Sequence, residues 1–193
     1  MPLSPPAARD ELHTRRIEIR GYRRSDGLYD VEGRIVDTKP GGLHLTSSGK
    51  QLAPGDPLHE MHVRLTFDEE LKLHDAEAAT VASPHRMCPE AAPGIHKLKG
   101  LTITGGFMRA VRERVGGEKG CTHINELLAQ MATTAMQTLT AVRNKRPATL
   151  DAHGKPVKID SCYAWGAGQD LVRVRWPQHY TGPHKPQDGK ASS

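Results

Sequence analysis

The chain is expected to fold as an α+β, two-layer domain, with an antiparallel sheet of about four strands packed by a long C-terminal helix and a shorter helix. Three observations predict this. Four segments before residue 82 alternate apolar and polar residues, the period of half-buried strands. After residue 105 the period changes to that of a helix. Strands first and helices afterwards is the order of an α+β domain rather than of an alternating parallel-sheet fold.

The elements follow in order. LHTRRIEIRGYRR alternates around Ile17 and Ile19 and reads as a strand. Ser25-Asp26-Gly27 is a turn signal, and LYDVEGRIVDTK returns as a second strand with Val31, Gly33 and Ile35 on one face. From Lys39 to Pro57 the chain is rich in Gly, Pro and Ser and reads mainly as loop. EMHVRLTFDEE is a cleaner strand, with Val63, Leu65 and Phe67 facing one way and His62, Arg64 and Thr66 the other. LKLHDAEAATV is its hairpin partner, where the small residues Ala76 and Ala78 leave room for a helix. SPHRMCPEAAPG is a proline-bounded loop, and GGFMRAVRERV fits a short amphipathic helix. The long helix is expected from about Thr122 to Arg143, through Ile124, Leu127, Leu128, Met131, Ala135, Met136, Leu139 and Val142, with Thr122 as its N-cap. LVRVRW, residues 171–176, reads as a final edge strand.

The folded domain is expected over residues 10–176. Residues 1–9 and 177–193 are Pro-, Gly- and Ser-rich, lack an apolar period and are expected to be disordered. They account for part of the low mean hydropathy of -0.58. No run of about 18 apolar residues is present, so no spanning helix and no membrane partner are expected. Three cysteines, few and odd in number, argue against a disulfide framework and for a reduced, cytoplasmic setting. The formal net charge of +5 points to an anionic partner. A small-molecule anion is expected rather than nucleic acid, because aromatic residues for base stacking are scarce near the basic runs.

The stretch GEKGCTHINELLAQM, residues 117–131, places a thiol and an imidazole where a glycine-marked loop becomes the long helix. Cys121 then lies near unpaired N–H groups at the positive end of the helix dipole, and both favour a thiolate. Cys121 and His123 are therefore the candidate catalytic residues. SPHRMC places His85 and Cys88 three apart, and the two pairs together offer a ligand set suited to zinc or iron. Cys88, Cys121, His85 and Asp56 are the candidate metal ligands, with His59 or His62 as further candidates. Arg20 and Arg23, from RRIEIRGYRR, are placed to bind a substrate carboxylate through a two-pronged guanidinium contact. The competing reading is structural: a buried free cysteine is a common small core residue, and Cys162 is read that way.

The stretches LHTRRIEIRGYRR, IVDTKPGGLH, HEMHVRLTFDEELKLHDAEAAT, MCPEAAPG and GCTHINELLAQMATTAMQTL resemble a bacterial family, domain of unknown function 2889, over about residues 10–175. That resemblance implies a cytosolic, single-domain bacterial protein. The order of elements also resembles the NifU-like iron–sulfur scaffold fold (NifU/SufE-like). This chain has Gly55-Asp56 before a hairpin, Cys88 after it and Cys121 opening the last long helix, so the likeness implies that Asp56, Cys88 and Cys121 converge at one end of the sheet. Pro54 stands where the scaffold has its first cysteine, which points away from cluster assembly and towards a remodelled site. The function expected from these readings is a metal- or thiol-dependent enzyme, a lyase or hydrolase, acting on a small anionic metabolite, with aromatic compounds among the candidates. The alternatives are an iron–sulfur or metal-trafficking accessory protein and a non-catalytic binding module.

Overall fold

The computed structural model describes residues 3–183. The part of the C-terminal tail from residue 184 onward, expected to be disordered, lies outside the described residues. Contacts divide the chain into two units, Met1–Val142 and Arg143–Ser193. The span 10–176, expected as one domain, therefore covers parts of both.

The first unit is built on six strands: β1 (Thr14–Arg23), β2 (Tyr29–Thr38), β3 (Leu43–Leu45), β4 (Lys50–Leu52), β5 (Pro57–Phe67) and β6 (Leu73–Ala82). Four of them form an antiparallel sheet in the order β1-β2-β5-β6. The expected four-stranded sheet is thus present. The region read as loop between Lys39 and Pro57 holds a small separate hairpin, β3-β4. Its strands are three residues each, too short for a period-2 pattern to register.

Alternation sets the two faces of the main sheet. Val31, Ile35, Met61, Leu65 and Phe67 turn to the core. Glu32 and Arg64 pair on the opposite face at 2.8 Å, and Arg34 and Glu60 pair at 2.7 Å. The core face is closed by a 3₁₀ segment (Cys88–Leu98) and by helices α1 (Phe107–Val115) and α2 (Thr122–Thr138). Leu127, Leu128, Met131 and Ala135 of α2 are fully buried, one stripe at helical spacing. Burial of such side chains stabilises the fold by about 1.5–3 kcal/mol each.

Helix α2 ends earlier than the periodicity suggests. Thr134 and Thr138 donate their hydroxyls back to the carbonyls of Gln130 and Thr134, at 3.1 and 2.9 Å. Such bonds compete with the helical ladder, and the chain breaks at Leu139 before a single turn, α3 (Thr140–Arg143). At the other end the cap is Cys121, with extended dihedrals, and Thr122 is the first helical residue.

In the second unit, the segment read as an edge strand is a helix, α4 (Asp170–Arg175). Its β-branched residues suggested a strand. Charge placement favours the helix instead, with Asp170 in the first turn and Arg173 and Arg175 in the last. Asp170 and Arg173 also pair at 3.0 Å with i,i+3 spacing. Val172 alone of the segment is buried, beside a short turn, Tyr163–Trp165, whose Trp165 ring meets Trp176 at 5.4 Å between centroids. No helix among the described residues is long and apolar enough to cross a membrane.

Candidate metal centre

Sheet register assembles a polar site one pleat beyond the core. Arg15 of β1 pairs with Asp37 of β2, and Asp37 pairs with His59 of β5. Two residues further in on each strand, Ile17, Ile35 and Met61 form the neighbouring apolar row. Side chains two apart share a face, so Arg15, Asp37 and His59 lie on the helix-covered side at the end where α2 begins. His123, in the first turn of α2, reaches the same place. The register skips a residue between Asp37 and Thr38, the kind of irregularity that re-aims side chains beside functional sites.

Asp37 is the hub. Only 1% of its side chain is exposed. Arg15 donates to both of its oxygens, Nε to Oδ1 at 2.7 Å and a terminal nitrogen to Oδ2 at 2.8 Å. Arg15 also reaches Glu126 of α2. His59 Nδ1 lies 3.1 Å from Asp37 Oδ2, His123 Nε2 lies 3.5 Å from the same oxygen, and His13 Nε2 lies 3.4 Å from Oδ1. The His59 and His123 rings stack with centroids 3.8 Å apart.

Charge states follow from this packing. Burial alone would raise the Asp37 carboxyl, but the hydrogen bonds and charge of Arg15, helped by His13 and His59, hold it below the usual carboxylate range. Burial lowers His59, and the neighbouring His123 adds to that against the pull of Asp37. Burial likewise lowers His123, with Asp37 opposing. Both imidazoles are therefore neutral at neutral pH, the state in which histidine binds metal.

Asp37, His59 and His123 each offer a ligand atom, and these atoms lie within 4.8 Å of one another. An ion about 2.0–2.1 Å from such ligands sets them roughly 3.0–3.4 Å apart, close to the 3.1 and 3.5 Å separations from Asp37 Oδ2. Against a carboxylate, His59 Nδ1 would carry the proton and donate to Asp37 Oδ2, and an ion held at Nδ1 would require the tautomer protonated at Nε2. Arg15 would then be the outer partner that fixes the carboxylate. Two imidazoles and a carboxylate are a ligand set that leaves coordination positions open for a substrate.

His59 and His123, but not Asp37, line a cleft of about 680 Å³ together with Met61, His85, Cys88 and Cys121 among others. The structure thus brings His85, Cys88, Cys121 and His123 to one cleft. Neither cysteine belongs to the three-residue ligand cluster. Cys121 Sγ lies 3.9 Å from His123 Nδ1. Asp56 is placed elsewhere, accepting the Ala53 N–H at 2.8 Å in the turn before β5. Arg20 pairs with Glu18 and lines a separate shallow groove on the open face of the sheet, with Arg34 and Arg64. Arg23 is exposed at the far end of β1, paired in register with Tyr29. Cys162 is exposed in the second unit.

Sequence reasoning missed Asp37 and the partners around it, Arg15, His13 and Glu126, and His59 was only a further candidate. The signal was present: the apolar parity of β2, through Val31, Gly33 and Ile35, ends on an aspartate, and that of β5 begins on a histidine.

The neutral histidines set a pH dependence. An imidazole that stays neutral when folded but titrates near pH 6.5 when unfolded weakens the fold as pH drops below that value. Asp37 acts in the same direction at lower pH still, where its carboxylate is protonated. Metal uptake measured by titration calorimetry is expected to hold from pH 8 to about 6.5 and to fall at more acidic pH, with protons released on binding only in that acidic range. Uptake that fell already between pH 8 and 7 would contradict the lowered imidazoles.

No curated protein and no solved structure matches this chain. The family described as "Protein of unknown function (DUF2889)" matches residues 13–137, a span that holds His13, Arg15, Asp37, His59, Cys121, His123 and Glu126. With well over half of its length matched, the chain belongs to that family.

Proposed function

We propose that the protein is a metal-dependent enzyme of the hydrolase or lyase type, with zinc or iron held by Asp37, His59 and His123. The observation that carries this reading is the convergence of a buried carboxylate and two neutral imidazoles that themselves line a cleft. A bound ion there would polarise a substrate carbonyl or lower the pKa of a water. The chain's own residues do the rest. Arg15 holds Asp37 in place, the stacked rings fix each other, and the cleft has the size of a small-metabolite site. Thr122 and His123, in the first turn of α2, line the cleft, and the unpaired N–H groups of a helix start suit an anionic substrate.

A second reading rests on a specific alignment. Cys121, at the cap of α2, is followed by His123 Nδ1 at 3.9 Å, and His123 Nε2 is followed by Asp37 at 3.5 Å. This is the order thiol, base, orienting carboxylate of a nucleophilic cysteine site. Two variants separate the readings. His59→Ala is expected to abolish metal binding and leave the rate of Cys121 alkylation unchanged. Cys121→Ser is expected to leave metal stoichiometry intact. Untagged protein that takes up neither zinc nor iron, with Cys121 alkylating much faster than a free thiol and slowed by His123→Ala, would replace the first reading with the second.

A further inference from the structure

Formal charge is divided unevenly between the two units. Met1–Val142 holds eighteen Lys and Arg against eighteen Asp and Glu, so it is neutral. Arg143–Ser193 holds nine against four, so the whole net charge of +5 rides on this smaller unit. The same unit exposes apolar side chains. Leu171 and Val174 of α4 are both exposed, Val174 at 77%, and their i,i+3 spacing puts them on one side of the helix. Tyr163, 86% exposed, stands in the turn that packs beside α4 through Trp165 and Trp176. Basic groups frame these rings. Lys158 Nζ lies 4.5 Å from the Trp165 centroid and the Arg175 guanidinium 5.3 Å from that of Trp176. Neither cation pairs with a carboxylate among the described residues.

We propose that this second unit docks on an anionic lipid surface. Cations bring a protein to an anionic leaflet, and exposed aliphatic and aromatic side chains then enter the interface. Tryptophan beside arginine and lysine is the composition that favours the headgroup region. A single-stranded nucleic acid would use the charge and the rings but would leave Leu171 and Val174 without a role. The lack of a spanning helix, on which the expectation of no membrane partner rested, does not bear on surface docking. The proposal is independent of the metal centre, and it would place that centre's chemistry at a membrane surface.

The test is co-sedimentation of the full chain with vesicles of phosphatidylcholine alone or mixed with phosphatidylglycerol. Binding is expected only to the mixed vesicles, and it should weaken as salt rises, because screening shortens the reach of the charges. The double variant Leu171→Ser, Val174→Ser keeps the charge unchanged and is expected to bind about tenfold more weakly, with an unaltered circular-dichroism melt. Lys158→Gln with Arg175→Gln should weaken binding as well. The proposal is overturned if mixed vesicles are not bound, or if the serine variant binds them as the parent does, which is the result expected of a surface that uses charge alone.

Discussion

Asp37→Ala is expected to abolish stoichiometric metal binding and, in the presence of a chelator, to lower stability by about 2–3 kcal/mol. Breaking a buried ion pair by removing one partner costs about 3–5 kcal/mol. The lower figure applies here because the remaining partner is not stranded: Arg15 is 33% exposed and keeps Glu126. The loss has two sources. Arg15, His13, His59 and His123 all gather on this one carboxylate, and its removal leaves a cation and three imidazoles facing a void. Asp37→Asn separates packing from charge, since the amide fills the same space but is a poor metal ligand and cannot accept both prongs of Arg15. Urea denaturation with chelator reports the stability, and metal analysis of the untagged protein reports the ligand role. An Asn variant that retained a full equivalent of metal would remove Asp37 from the site. His123→Ala should bind metal as poorly as Asp37→Asn, with a smaller loss of stability because no buried ion pair is broken.

Gly21→Ala is expected to destabilise the first unit by about 2–3 kcal/mol, although alanine is ordinarily the better residue in a strand. A Cβ at this position would stand 1.8 Å from Thr138 Oγ1 and 2.9 Å from Thr138 Cβ. Thr138 cannot swing clear cheaply, because it is branched at Cβ and its hydroxyl is tied to the Thr134 carbonyl. The last turn of α2 must move instead. Gly33→Ala is the natural control. Its Cβ would meet Met131 Sδ at 2.8 Å, but a thioether at the end of three rotatable bonds adapts, and a loss below about 1.5 kcal/mol is expected. Chemical-denaturation midpoints of the two variants would decide the matter. A Gly33 variant the less stable of the two would mean that α2 is seated by its middle and not by its last turn.

Most of the architecture could be read from the sequence because it is written in local periods. β1, β2, β5, β6, α1 and the body of α2 all carry an alternation or a helical stripe long enough to register. LVRVRW carried the strand signal in its side chains, but among the described residues it has no strand to pair with, and its end charges favour one helical turn. The β3-β4 hairpin was too short to show. The candidate site was legible only in part: GCTH at the start of α2 marked Cys121 and His123, and His85 and Cys88 do share their cleft. Asp56, which the resemblance grouped with the cysteines, is not among the residues that line their cleft and accepts the Ala53 N–H.

By itself, the sequence determined which segments are strands and helices, which face of each is apolar, and that a thiol and an imidazole open the principal helix. These depend on residues only a few positions apart. Tertiary structure alone decided that Arg15, Asp37 and His59 stand side by side and that His123 closes over them. That arrangement depends on the register of three strands and the seat of one helix, and a slip of one residue in any pairing would have turned the same side chains to the opposite face.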